Sequence, residues 1–300
     1  MATWSAASRL NPTMYHYHLN LIGLKILLQS HLELASTERA HAFLSAAPDF
    51  QPDHIWTLEP TSVLVPAAEP AQWSGLRRYS HHHDHVIEHY LEDYQTMFCM
   101  TVLKKNGDVM MQYGQEFTDF FPTIDSIFHY MGLESFLLQH GGLLLHSSLI
   151  RAGDCAIVFT APSGTGKSTQ AELWKHFRGA EILNGDRAAL VRSNDIWTAY
   201  GSPYAGTSGI YRNDSAPLTA IVVLKQAPEN RITRLQGHQI LKHLYPELSL
   251  HRWDPHFIQA SADLITDLIS DVPVFLLECV PEESAVQLLY CTLSKGNLLT

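Results

Sequence analysis

The alternation of apolar and polar positions divides this 300-residue chain into two unlike parts. In the first part the period is mostly that of strands. Residues 15–21 and 24–28 read as two strands around Gly23. Residues 60–70 gather Pro, Ala and Glu and read as turns or a loop. Residues 94–103 are β-like and end at Lys105-Asn106-Gly107-Asp108, and Asn-Gly before the apolar run 109–113 predicts a hairpin. Ile124, Ile127, Phe128, Met131, Phe136, Leu137 and Leu138 then recur at helical spacing over 123–139, with Gly132 as the point of interruption. A boundary is expected near 139–142, giving a β-rich N-terminal domain over 1–140 and a second domain over 141–300.

The second part alternates strands with helices. Residues 143–150 and 155–160 read as a hairpin turning at 151–154, and a helix running from Ser168 stops near Arg178-Gly179. Short strands are expected at 181–184, 188–191 and 196–200, and a buried strand at 220–225. Helices at 237–244 and 261–269, a strand at 274–280 and a closing helix at 284–293 complete the pattern. No internal repeat is evident. The fold class expected from this order is α+β or α/β.

Composition narrows the picture. With 46% hydrophobic and 17% charged residues the chain is of globular type. A formal net charge of -10 argues against a broad basic surface for nucleic acid. Cys99, Cys155, Cys279 and Cys291 form no C-x-x-C pair, so neither a disulfide framework nor a zinc knuckle is suggested. No stretch approaches the ~20 apolar residues needed to cross a bilayer. No secretory leader is recognisable, so no membrane association is expected and a cytoplasmic location is.

The chemistry centres on Ala161-Pro162-Ser163-Gly164-Thr165-Gly166-Lys167-Ser168-Thr169. It reads A-x-x-x-x-G-K-S-T, a phosphate-binding loop with Ala in place of the usual first Gly, set between a strand and a helix. Ser163, Gly164, Thr165, Gly166, Lys167, Ser168 and Thr169 are the candidate nucleotide contacts. Backbone N–H groups and the helix N-terminus suit a phosphate chain. Lys167 reaches the outer phosphates, and the Ser168 hydroxyl is a candidate Mg²⁺ ligand. Asp186 lies nineteen positions after Lys167, at the end of a short strand that is a candidate neighbour of the loop strand. It is a candidate ligand for Mg²⁺ and a candidate base for an attacking hydroxyl. His146, at the end of the run before the loop strand, is placed to bond a phosphate or hold Asp186. Arg187 is either a phosphate contact or the partner of a surface acid. Residues 201–209 form a second small-residue loop, read either as a cover for the site or as an ordinary surface loop.

These residues together resemble the kinase domain of the HPr kinase/phosphorylase family, whose core is shared with phosphoenolpyruvate carboxykinase. His146 stands where that family carries a His, Gly164 to Ser168 match its loop core, and Asn184-Gly185-Asp186 matches its acidic pair in the second member only. More specifically the chain is similar to stand-alone bacterial serine kinases of this type, some of which phosphorylate a serine of a ribosomally made peptide. The resemblance covers roughly 143–293. It implies a kinase that uses ATP (or GTP) and Mg²⁺ and transfers the γ-phosphoryl group to the hydroxyl of a peptide or small molecule. Lys167, Asp186 and His146 would be the catalytic residues, Ser168 and Asp186 would hold the metal, and relatives point to a homo-oligomer. Gly185 replaces the family's first acid. The segment used for reverse phosphorolysis has no counterpart, so HPr itself is not the expected acceptor. The alternative function is a nucleotide-dependent switch or ATPase without a phospho-acceptor.

One further cluster stands apart. His81-His82-His83-Asp84-His85, with His89, offers imidazoles that suit transition metals, and His85 and His89 would share a helical face. The reading adopted is a solvated loop segment without a metal.

Overall fold

The computed structural model describes residues 13–47, 49–67, 71–81 and 84–298. Two large mixed sheets with flanking helices make an α+β fold. The first sheet has eight strands in the order β1-β2-β3-β8-β7-β6-β5-β4. These are β1 (Tyr15–Leu21), β2 (Leu24–Ser30), β3 (His54–Thr61), β4 (Ala71–Ser74), β5 (Arg77–His81), β6 (His85–Tyr90), β7 (Met97–Leu103) and β8 (Val109–Gly114). Every neighbouring pair is antiparallel except β2 with β3 and β3 with β8, which are parallel. Gly107 turns the β7–β8 hairpin at φ 87°, a backbone conformation natural to glycine. Helices α1 (Glu38–Ala42), α2 (Ile124–Tyr130) and α3 (Leu133–Gln139) accompany this sheet, and α2 and α3 contribute Ile124, Ile127, Leu133 and Phe136 to its core. There Trp56 is fully buried and meets Phe136 edge-on at 5.3 Å.

Two expectations for this sheet do not hold. Residues 60–70 are not wholly loop, because β3 runs through Pro60 to Thr61. Pairing with β2 ends at Leu58, so Pro60 needs no donor on that edge and is tolerated. The helical run over 123–139 is interrupted at Gly132, as its sequence suggests, and forms two helices, with Gly132 at φ +73°. The segment read as a solvated loop contains β6, in which His85 and His89 are buried. His85 Nε2 lies 3.0 Å from Ser135 Oγ and His89 Nε2 3.3 Å from Thr101 Oγ1. Burial pushes the His89 imidazole well below its ordinary pKa. His82 and His83 lie outside the described residues. Among the described residues no group of three or more His, Cys, Asp or Glu is placed to hold a metal ion.

The second sheet is built on two long strands, β9 (Gly142–Ala152) and β14 (Ser215–Gln226), each shared between two sets of partners. One set comprises β10 (Cys155–Thr160), β11 (Glu181–Asn184), β15 (Arg231–Arg234) and β16 (Val274–Cys279). The other set comprises β12 (Arg187–Ser193) and β13 (Ile196–Gly201). Strands β10, β14 and β16 run parallel to one another, so their C-terminal ends share one edge. Helices α4 (Lys167–Arg178) and α7 (Glu283–Lys295) bury Trp174, Ala285 and Leu289 against Phe159 and Val222 on one face. Helices α5 (His238–Leu244) and α6 (Pro255–Asp271) bury Ile240, Phe257 and Leu268 against Val158 and Ile221 on the other. The α6 helix starts earlier than the expected residue 261, because Asp254 caps it by accepting from His256 N and Phe257 N, with Pro255 in its first turn. The two sheets are in contact: Leu144 and Ala189 belong to the same buried cluster as Trp56 and Phe136. Among the described residues no helix is long and apolar enough to cross a membrane.

The break at Gly132 is open to a stability test. A methyl group there would meet Ile87 Cδ1 at 2.4 Å in a left-handed backbone. Gly132→Ala is expected to destabilise the protein by about 1–3 kcal/mol, read as a lower urea midpoint; an unchanged midpoint would contradict this account of the two helices.

Candidate functional site

The site forms where β10 leaves its neighbour. The strand stays paired with β9 up to Thr160, opposite Ser147, and its Thr160 hydroxyl donates to His146 O at 2.9 Å. Ala161 follows with its methyl buried in the cluster of Ile150, Phe159 and Trp174, which explains how alanine serves at this position. Gly164 and Gly166 then take φ +79° and +117°, values L side chains rarely adopt, and α4 begins at Lys167. No side chain caps α4. Its first-turn N–H groups, those of Lys167, Ser168 and Thr169, therefore have neither an intrahelical acceptor nor a side-chain cap, and the positive end of the helix faces the loop. Ser163, Gly164, Ser168 and Thr169 are exposed, while Thr165 and Gly166 are half-buried. Gln226 Nε2 donates to Thr165 O at 3.3 Å and ties the loop to the end of β14.

Lys167 turns back under the loop. It is only 8% exposed, and its Nζ donates to Ala161 O at 2.8 Å. Burial draws its pKa below the ordinary lysine value; the nearby carboxylates of Glu247 and Asp186 oppose that effect. Two acids distant in sequence thus act on one ammonium group.

Asp186 reaches the site through a change of strands. Strand β11 pairs with β9 at 149–151 and β12 pairs with it at 142–146, so Gly185 and Asp186 span the step between them. Ser147 N donates to Asp186 O at 2.8 Å within that step. The strand carrying Asp186 is therefore not beside the loop strand, as the spacing suggested, because β9 lies between them. Asn184, fully buried, holds the turn: its Oδ1 accepts from Asp186 N and Arg187 N, and its Nδ2 donates to Ser202 O and Tyr204 O. One amide thus fastens residues 184–187 to the loop 201–209, which is bound into the site by its first half rather than free over it. Arg187 Nε stands 3.4 Å from Asp186 Oδ2, and its Nη1 donates to Ser249 Oγ.

His146 and Glu247 complete the cluster. His146 Nδ1 is 2.7 Å from Glu247 Oε2, and His146 N donates to Glu247 O at 2.9 Å. Ser249 N donates to Leu144 O, and Leu145 bridges Leu248. Residues 247–249 therefore occupy the edge of β9 that β10 gives up. The structure brings Lys167, Asp186 and His146 to one place and adds Glu247, which the sequence reading missed. Glu247 is 101 positions from His146 and sits in a Tyr-Pro-Glu stretch with no motif. Beside the loop, at the C-terminal ends of β14 and β16, lies a cavity of about 410 Å³. The loop glycines, Thr169 and Gln170 form one wall of it; residues 224–227 and 279–281 form the other. Such an edge is where ligands enter sheets of this kind.

Comparisons with known proteins add little to this geometry. No family model matches the chain, and no curated protein matches it. Among solved structures it is similar to one described as the Hpr(Ser) kinase/phosphatase from Coxiella burnetii, at 12% identity and a TM-score of 0.28, over 51% of this chain and 95% of that one. A likeness at that TM-score carries no weight for fold or function.

Gly185, the position at which the resembled family carries an acid, has a steric reason. A Cβ there would lie 2.1 Å from Ser208 Oγ and 2.6 Å from Ser208 Cβ. Gly185→Ala is expected to destabilise the protein by about 1–3 kcal/mol, and by less in a Ser208→Gly background. A double-mutant cycle in thermal or urea unfolding measures the difference; strictly additive effects would show that Ser208 is not what excludes a side chain.

Proposed function

We propose that the chain is a nucleoside-triphosphate-dependent phosphotransferase that moves the terminal phosphoryl group to a hydroxyl, that of a serine in a peptide or of a small molecule. The observation that carries this reading is the desolvated Lys167 ammonium at an uncapped helix start, within electrostatic reach of two carboxylates. A phosphate chain needs the cation and the N–H groups, and phosphoryl transfer to a hydroxyl needs carboxylates close by. The cavity beside the loop is of nucleoside size and opens onto the same glycines, which supports a triphosphate over a bare anion.

In this reading Lys167 releases Ala161 O and takes the outer phosphate oxygens. The N–H groups of Gly164 to Ser168 line the chain, with Ser163, Thr165 and Thr169 at its borders. The Ser168 hydroxyl and the Asp186 carboxylate are hard oxygen donors of the kind Mg²⁺ selects, and they would hold the ion, whose charge would offset that of the phosphates. Arg187 keeps the Asp186 carboxylate in place. Asn184 holds the turn so that Asp186 stays beside the loop, which is positioning rather than chemistry. Residues 141–300 would form the catalytic part and the β-rich 1–140 the part that presents the acceptor.

The test is incubation with γ-labelled ATP, MgCl₂ and either free serine or short seryl peptides, with label followed into the acceptor. Lys167→Ala is expected to lower nucleotide affinity about ten- to a hundredfold, the loss of a charge-assisted hydrogen bond worth about 1.5–3 kcal/mol. Undiminished nucleotide binding by that variant would remove the basis of the reading. Phosphate release at one rate with and without every acceptor would point instead to hydrolysis alone.

A further inference from the structure

We propose that His146 and Glu247 act as a pair, with His146 the group that takes the proton of the attacking hydroxyl and Glu247 the residue that orients it. This rests on the phosphotransferase reading and reassigns one role within it: Asp186 is left to the metal and to charge.

Three observations lead there. First, Glu247 is built in. Its side chain is 10% exposed against 27% for His146, and both of its polar ends are used on the same residue: the backbone carbonyl accepts from His146 N and the carboxylate faces His146 Nδ1 at 2.7 Å. Second, the chemistry of the partners fixes the tautomer. An ionised carboxylate only accepts, so the hydrogen between the two sits on Nδ1, and in the neutral imidazole Nε2 keeps the lone pair. An imidazole so held is ready to receive a proton at Nε2 and is stabilised by the carboxylate once it has. Third, Asp186 is engaged otherwise. Its carboxylate faces Arg187 at 3.4 Å, and the loop 201–209 closes on it, since a methyl on Gly206 would lie 2.6 Å from Asp186 Oδ1. A carboxylate paired and enclosed in this way is held in place as a charged ligand.

The acceptor O–H bond breaks and its proton passes to His146 Nε2. The acceptor oxygen forms a bond to the terminal phosphorus, and the bond from that phosphorus to the bridging oxygen breaks with its electron pair going to the nucleoside diphosphate. The imidazolium then loses its proton to solvent.

The experiment uses the full chain with ATP and MgCl₂ and follows phosphate release to water, the simplest hydroxyl, and to the seryl peptides above. His146→Ala is expected to lower the rate by about 10²–10⁴-fold, with the rate restored at least tenfold by added imidazole. Glu247→Gln is expected to lower kcat by about 10–100-fold, and Glu247→Asp to retain more than Glu247→Gln. Ring-nitrogen NMR of ¹⁵N-histidine protein, with the His146 signal assigned by its loss in the Ala variant, should show the Nδ1–H tautomer in the wild type and not in Glu247→Ala. Wild-type turnover that Glu247→Gln leaves intact, or an Nε2–H tautomer in the wild type, would overturn the pairing and leave the phosphotransferase reading standing. No phosphate release by the wild type to water or to any seryl acceptor would overturn that underlying reading, and the NMR tautomer would still decide the pairing.

Discussion

The site depends on what happens along the two edges of β9 at residues 146–148. A strand in the middle of a sheet must have its N–H and C=O groups satisfied on both sides. On one edge β10 supplies them as far as Thr160, then departs, and residues 247–249 take its place. On the other edge β11 supplies them as far as Asn184, and β12 takes over from Arg187. Both exchanges fall at the same level of the strand. The glycine loop issues from the first, Asp186 sits in the second, and Glu247 lies on the segment that closes the gap left by the first. Backbone satisfaction of one strand is thus what gathers a lysine and two acids from positions 167, 186 and 247.

The second exchange carries its own constraint. A turn between two strands on one edge leaves backbone N–H groups without ladder partners, and a buried one would be costly. Asn184 resolves this with a single side chain that accepts from two of them and donates to two carbonyls of the loop 201–209. A fully used buried amide of this kind is rigid, because loss of any bond leaves a desolvated group. The close approach it enforces brings Ser208 against Gly185, and no side chain fits between. The glycine reads as a missing acid from sequence alone; from packing it follows from the way the turn is tied down.

What was legible in the sequence was what is local. The loop is contiguous, its strand and helix flank it directly, and its glycines mark left-handed backbone, so both its position and its surroundings were readable. Asp186 was readable because one helix and one short strand fill the interval from Lys167, although the intervening β9 was not. The edge of β9 that Glu247 fills is a tertiary fact, and nothing in Tyr245-Pro246-Glu247 announces it. In the first sheet, Pro60 and the histidine run masked β3 and β6, since proline and imidazole are both common outside strands. Pro60 is admitted where β2 pairing has ended, and His85 and His89 are admitted where Ser135 and Thr101 receive them. By contrast the start of α6 was written in the chain: Asp254-Pro255 is a capping residue followed by proline in the first turn, and periodicity alone placed the helix six residues late.

The same pairings explain why Lys167 stays available. A buried ammonium beside two carboxylates would ordinarily collapse onto one of them, and a salt bridge formed that way would compete with any incoming anion. Here each acid is already engaged: Glu247 with His146 at 2.7 Å and Asp186 with Arg187 at 3.4 Å. The lysine instead rests on a neutral acceptor, Ala161 O, at 2.8 Å. Giving up that single bond to a carbonyl is a small loss against charge-assisted bonds to an anion at the start of a helix. In a chain whose formal net charge is -10, an anion binding at this point would be drawn by local arrangement and not by the overall field. The histidine and the arginine therefore serve the lysine as much as they serve their acids, by holding two negative charges apart from the one positive charge the loop must offer.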